Sequence, residues 1–250
     1  NDNIIIGGTG DDELTGGGGD DRLEGGGGRD DFYAGGGDDT IIFAPGDHQN
    51  WDFGRYYSGS GNDTIDFSGE WGFINYDYLP EEALNAVLIN LTEGQQTLDG
   101  ITLEAHTAKD QFGNTDTFLN ISKGGHFWGS QGNDTLIADK NFYFTAMLGG
   151  DDRIIMTDDD PQGTLEAGYD YDQGVNWSID NNAFEYTIDG QTYTVTVEGK
   201  LQGLSGSWRD DVLVGDDENN SFKGNGGNDL VQGLGGDDRF YFHWNEGGTI

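Results

Sequence analysis

One large apolar residue returns at nine-residue intervals near the start of the chain, as Leu14, Leu23, Phe32 and Ile41, with Ile5 one interval earlier. Each stands among polar or small neighbours. That is the pattern of a short extended segment with one side chain turned inward, not the three-to-four spacing of an amphipathic helix. The same interval links Leu213, Phe222, Val231 and Phe240 near the end, and two intervals separate Leu136 from Ile154. Between these blocks the pattern changes. VLINL at 87–91 and ITLEA at 101–105 read as strands, and a short helix fits Pro80–Ala86 because proline suits a first helical position. FEYTI and TYTVTV flank Asp189-Gly190, a strong two-residue hairpin signal.

The apolar interval belongs to a complete nine-residue unit: GGTGDDELT at 7–15, GGGGDDRLE at 16–24, GGGGRDDFY at 25–33 and AGGGDDTII at 34–42. Glycines open each unit and permit left-handed backbone and close approach of neighbouring segments, so this half is a turn. The sixth position carries Asp12, Asp21, Asp30 and Asp39, and Asn3 falls in the same phase. Stacked as coils, such units superpose the apolar residues into a core and the aspartates into a column. A column of carboxylates repels itself unless a cation lies between its members. Single or shorter blocks recur as SGSGNDTID at 58–66, GSQGNDTLI at 129–137 and MLGGDDRII at 147–155, with a degenerate unit at 138–146 that has Tyr143 in sixth place. Four units from Gly206 place Asp211, Asn220, Asp229 and Asp238 at the sixth position. The unit at 58–66 is offset from the first block by a number that nine does not divide, so it either starts a new stack or follows a loop bulging from the old one.

These units resemble GGxGxDxUx, the repeat of RTX proteins, a calcium-binding β-helix repeat. The resemblance implies an all-β fold, a parallel β-roll or β-solenoid of nonapeptide repeats with two strand-rich inserts. It also implies several calcium ions between turns. The ligands would be the sixth-position residues Asn3, Asp12, Asp21, Asp30, Asp39, Asp63, Asp134, Asp152, Asp211, Asn220, Asp229 and Asp238, with backbone carbonyls of the turns carrying Gly8, Gly10, Gly17, Gly19, Gly26, Gly28, Gly35 and Gly37. Partners would lie two units apart: Asp12 with Asp30, Asp21 with Asp39, Asp134 with Asp152. Asparagine at Asn3 and Asn220 coordinates through a carbonyl without charge and makes a weaker site. Fifth-position Asp11, Asp20 and Asp38 fall at a variable place of the motif and read as solvated surface carboxylates.

Charge sharpens the calcium reading. The 250 residues hold 47 acidic against 11 basic groups, a net charge of −36, and 35 of the acids are Asp. Asp favours turns and hard cations over acidic helices. With 45 glycines and 33% hydrophobic residues, little apolar surface offsets the entropy of ordering the chain, so a largely unfolded apoprotein is expected. The absence of a basic stripe argues against nucleic acid and anionic lipid as partners, and no apolar run reaches transmembrane length. There is no cysteine, and calcium takes the place of a disulfide staple. Acidity and calcium motifs together point to a secreted, extracellular or cell-surface location. Relatives of this type use type I export, although no secretion signal is recognisable.

The chain divides into an RTX roll block at 1–43, a single RTX turn plus strand-rich insert at 44–128, a short RTX block at 129–155, a strand-rich insert with a hairpin at 156–205 and an RTX roll block at 206–250, read as one elongated solenoid. Both inserts contain Tyr-Asp-Tyr, at 76–78 and 169–171, and both lead into a Gly-Ser turn that restarts the repeat. The four histidines, His48, His106, His126 and His243, show no transition-metal spacing. Acid pairs such as Asp170 with Asp172 arise by chance in so acidic a chain, and no nucleophile elbow, phosphate loop or zinc helix is present, so the chain is not expected to be an enzyme. Two functions compete. One is a calcium-binding structural and adhesive module making surface, self-assembly (filament or surface-layer) or glycan contacts. The other is the export, folding and substrate-contact module of a secreted hydrolase or epimerase. The inserts favour the first, with aromatics such as Trp71 and Trp177 expected to be exposed contact residues; burial of these rings in the insert cores is the plainer alternative.

Overall fold

The computed structural model describes residues 1–43, 56–68, 72–76, 86–110, 112–121, 125–139, 142–146, 149–157, 163–168 and 171–241, all of which form strands, turns or extended chain. The helix expected over Pro80–Ala86 lies, apart from Ala86, outside them, as does Trp71. Two compact units divide the chain at Trp128/Gly129.

In the first unit, successive coils alternate between two parallel stacks. Ile4–Thr9, Arg22–Gly27, Thr40–Ile42 and Thr64–Asp66 pair in order, with Ile5 opposite Leu23, Leu23 opposite Ile41 and Ile41 opposite Ile65. Glu13–Gly18, Asp31–Gly36 and Tyr56–Ser60 form the other stack, with Leu14 opposite Phe32 and Phe32 opposite Tyr56. The nine-residue unit therefore yields an eighteen-residue register, and its apolar positions superpose into two facing rows. Leu23, Phe32, Ile41, Tyr56 and Ile65 are fully buried. Rings complete the seam: Phe43 lies 4.8 Å from Phe32 and 5.4 Å from Phe67, centroid to centroid. The unit at 58–66 thus continues the old stack in register.

The first insert extends this stack. Thr115–Leu119 pairs parallel with Thr64–Asp66 and sets Phe118 opposite Ile65. The chain then reverses into antiparallel Thr107–Lys109 and Leu88–Asn90. The strands expected in VLINL and ITLEA are present as Leu88–Asn90 and Ile101–Leu103. In the second unit, Thr135–Ala138, Asp152–Met156 and Gln191–Glu198 stack in parallel, and the last turns back on Ala183–Ile188 through Asp189-Gly190. Both turn residues have positive φ, 50° and 73°, as a type I′ turn requires. Beside them run Thr164–Ala167, Gly203–Ser205, Ser221–Lys223 and Arg239–Tyr241, and separately Asn176–Ser178, Val212–Val214 and Leu230–Gln232. Trp177, expected on the surface, is 1% exposed: its register opposite Leu213 gives it a core position, and its Nε1 donates to Glu185 O at 2.8 Å. The rings of Tyr171 and Phe184 are buried too, so in the described residues of this insert the core takes the large aromatics.

Candidate metal centre

The register that stacks the apolar residues also stacks the carboxylates. The backbone N–H of a sixth-position residue donates to Oδ1 of the sixth-position residue in the coil stacked next to it. The distances are 3.0 Å from Asp12 to Asp30, 2.7 Å from Asp21 to Asp39, 2.8 Å from Asp39 to Asp63 and 2.9 Å from Asp134 to Asp152. The later block repeats this from Asp211 to Asp229 and from Asn220 to Asp238. Asn3 joins at the start, giving its N–H and Nδ2 to Asp21 Oδ1. Every partner pair expected two units apart is brought together.

One oxygen each of Asp21, Asp30, Asp39 and Asp63 is thereby used. The other is the informative one. Oδ2 of Asp12, Asp21, Asp30, Asp39 and Asp63 is buried with no hydrogen-bond partner. A buried carboxylate oxygen without a donor carries a desolvation penalty of about 1–3 kcal/mol or more. Five in one roll identify a place that a cation fits. Burial is the first cause that raises the acid's pKa at Asp30 and Asp39, at Asp63 to about 8, and at Asp152 to about 9, where the neighbouring Asp134 charge adds to it. A divalent ion reverses both effects by supplying opposite charge at the oxygen.

The glycines shape the rest of the cradle in two ways. At second and fourth positions Gly8, Gly10, Gly17, Gly19, Gly26, Gly28, Gly35 and Gly37 all have φ between 105° and 130°, which a residue with Cβ rarely adopts. First-position glycines, which sequence reasoning did not single out, face the carboxylate itself. A Cβ on Gly16 would lie 2.5 Å from Asp21 Oδ2 and 2.6 Å from Ala34 O; on Gly7 it would lie 2.6 Å from Asp12 Oδ2 and 2.5 Å from Gly25 O. Carboxylate and backbone carbonyl therefore converge on one point at Gly7 and Gly16; Ala34 and Ser58 hold the first position before Asp39 and Asp63. Among the described residues no three His, Cys, Asp or Glu side chains group as a metal site. Carbonyls have to complete the ligand set, which suits a hard ion that takes six to eight oxygens.

Asp116 is a second residue that the sequence reading missed. It continues the column of Asp21, Asp39 and Asp63, accepting the Asp63 N–H at 3.1 Å, but its Oδ2 receives the Tyr76 hydroxyl at 2.8 Å. Burial, partly opposed by that hydrogen bond, raises its pKa to about 7. The fifth-position acids are exposed as expected, yet they do more than face solvent. Asp11 Oδ1 accepts Arg29 N–H, Asp20 Oδ1 accepts Asp38 N–H and Asp38 Oδ1 accepts Asn62 N–H, so a second ladder runs with opposite polarity. Of the histidines, His106 lies 3.9 Å from Glu93 and His126 is buried; His48 and His243 fall outside the described residues.

Residues 6–41 and 205–240 match the family model of the RTX calcium-binding nonapeptide repeat in four copies. No curated protein matches the chain. Such repeats bind calcium, and proteins that carry them are generally secreted through type I systems. These two blocks are RTX calcium-binding nonapeptide repeats.

Proposed function

We propose that this chain is a calcium-ordered structural and adhesive module of a secreted or cell-surface protein, whose glycine turns take calcium through the sixth-position aspartates and turn carbonyls. The observation that carries this reading is the set of five buried, unpartnered Oδ2 atoms in the first roll. Asp21, Asp30, Asp39 and Asp63 are each held in place by an amide on the other oxygen, and at Asp12, Asp21 and Asp30 the free oxygen abuts a first-position glycine that leaves room for an ion. In this reading the ion neutralises the column, and the roll positions the surface. Aromatic surface on rigid coils supports the adhesive part: Trp208 is 54% exposed on a repeat turn, and Phe112 is 44% exposed in the first insert. With a net charge of −36, copies of the chain repel each other, so self-association or glycan contact needs calcium as a bridge.

Calcium titration of the full chain, followed by far-UV circular dichroism and sedimentation, tests this. Calcium should order the β structure and shrink the hydrodynamic radius, with magnesium a poor substitute because of its octahedral demand. A compact, folded chain in excess chelator would overturn the calcium reading. Unchanged sedimentation and no glycan retention across calcium concentrations would overturn the adhesive one alone.

A further inference from the structure

The repeat turns are of two kinds, and the residue at second position separates them. In the first roll this position is glycine with left-handed backbone, and the carboxylate keeps a buried, unpartnered Oδ2. At 129–134 and 206–211 the second residue is serine, without left-handed φ, and the carboxylate is fully engaged. Ser130 donates its N–H to Asp134 Oδ2 at 2.5 Å and its hydroxyl to Oδ1 at 2.8 Å; Ser207 does the same to Asp211 at 2.6 Å and 2.9 Å. Each Oγ also accepts the amide two residues on, Gly132 or Arg209, at 3.0 Å. These serines and aspartates are at most 2% exposed. A third turn solves the problem with the same geometry. Asp216 gives its N–H to Asn220 Oδ1 at 2.9 Å and accepts from Asn220 Nδ2 at 3.0 Å. Beyond it, Asn225 and Leu234 return to left-handed φ, 67° and 68°, at the second position, although neither is glycine.

We infer that the second-position residue decides whether a turn takes calcium, and that Ser130 and Ser207 hold Asp134 and Asp211 in place of an ion. The physical reason lies in the backbone. A left-handed second residue turns its N–H away from the carboxylate and leaves an oxygen that only a cation satisfies. A right-handed or extended one brings N–H and hydroxyl to the same oxygens, so the desolvated charge is met by three donors at Asp211, counting Val175 N–H at 2.7 Å. The Gly-Ser turns restart the repeat after the irregular segments, and a cation-free first turn lets each later block form on its own amides. The inference rests on the reading of the glycine turns as calcium sites.

Calcium counting and hydrogen exchange on the full chain test it. Saturating calcium per chain is measured by equilibrium dialysis for wild type, Ser207→Gly and Ser207→Ala. Exchange is followed as calcium is lowered. Ser207→Gly should bind one additional ion, because it restores the glycine turn and frees Asp211 Oδ2. Ser207→Ala should bind no more than wild type while residues 206–214 exchange at least tenfold faster. In wild type, segment 206–214 should lose protection at a calcium concentration at least tenfold below that for 13–36. An unchanged count in Ser207→Gly, or simultaneous loss of protection in the two wild-type segments, overturns the inference. A wild type that binds no calcium instead refutes the calcium reading of the glycine turns, and this inference with it.

Discussion

Replacing Gly16 by alanine places a methyl group where the cation cradle is open. The new Cβ would stand 2.5 Å from Asp21 Oδ2 and 2.6 Å from Ala34 O, both far inside van der Waals contact. Ala34 is fully buried, and its carbonyl belongs to a strand paired with neighbours on both sides, so it has little freedom to retreat. The φ of Gly16 is not left-handed, which removes backbone strain as an explanation. Overpacking of this kind costs about 1–3 kcal/mol. Since each 1.4 kcal/mol is tenfold in an equilibrium constant, the calcium midpoint of folding should rise roughly five- to hundredfold. Gly18 is the control within the same unit: it too lacks left-handed φ, it is exposed, and its Cβ would meet only Gly36 O at 4.0 Å. Gly18→Ala should be neutral or gain about 0.4–1 kcal/mol from a stiffer unfolded chain. Calcium titrations followed by circular dichroism at fixed pH compare the two. Equal midpoints, or a Gly16→Ala variant that matches wild type, would show that first-position glycines do not line the ion.

Asp21→Ala should raise the calcium midpoint more than Asp20→Ala, because Asp20 offers its carboxylate from an exposed site while Asp21 is 2% exposed with Oδ2 unpartnered; parallel titrations giving identical shifts would contradict this. In chelator, the residual β structure should fall with rising pH. Burial raises folded Asp211, Asp116, Asp63 and Asp152 to about 6, 7, 8 and 9 from an ordinary 3.8, so the folded state holds protons that the unfolded chain has released. Their contribution is fully present below about pH 4 and is lost by about pH 9; a far-UV β signal in chelator that rises or stays level across that range would sink the argument. With calcium present the dependence reverses at the glycine turns, where protons compete with the ion for carboxylate oxygens such as those of Asp63, and calcium affinity should increase from pH 5 to pH 9 by isothermal titration. Tyr76→Phe removes the hydroxyl from Asp116 Oδ2 and should destabilise the calcium-loaded chain by about 1–3 kcal/mol; denaturant midpoints in saturating calcium within error of wild type would remove Tyr76 from the column.

The rolls were legible because two periodic signals coincide in them, Leu14 to Ile41 for the core and Asp12 to Asp39 for the column. What escaped was the continuation of the stack without glycines. Asp116-Thr117-Phe118 repeats the Asp-Thr-apolar triplet of Asp63-Thr64-Ile65 and Asp134-Thr135-Leu136, but Thr115 interrupts the Gly-Asn-Asp sequence that precedes the other two, and that one residue hides the phase. Trp177 was misjudged for a related reason. Its partner Leu213 lies in a different segment, and parallel pairing across an insert leaves no local spacing to read. The two kinds of turn were visible as Gly-Gly against Gly-Ser, yet only the hydrogen bonds give the difference a consequence.

The inserts can be understood as a change in how a coil answers the same demand. Every coil in a stack must give its sixth-position amide an acceptor and must avoid an unlimited run of buried like charges. Glycine turns meet the first demand with aspartate and leave the second to a cation. Coils from the inserts change the residue in that register: Val175 donates its N–H to Asp211 Oδ1 yet brings no carboxylate of its own, and Val195 stands opposite Asp152. Asp116 keeps the carboxylate but is met by a tyrosine hydroxyl. Each of these stops the build-up of charge in its column while the parallel strand pairing continues. Hydrophobic burial then takes over from coordination, with Phe118 opposite Ile65 and Trp177 opposite Leu213 supplying the apolar contact for strands that have lost their glycine turns. On the proposed reading calcium is required where the charged columns run, and the inserts bound those columns with residues whose partners lie within the chain.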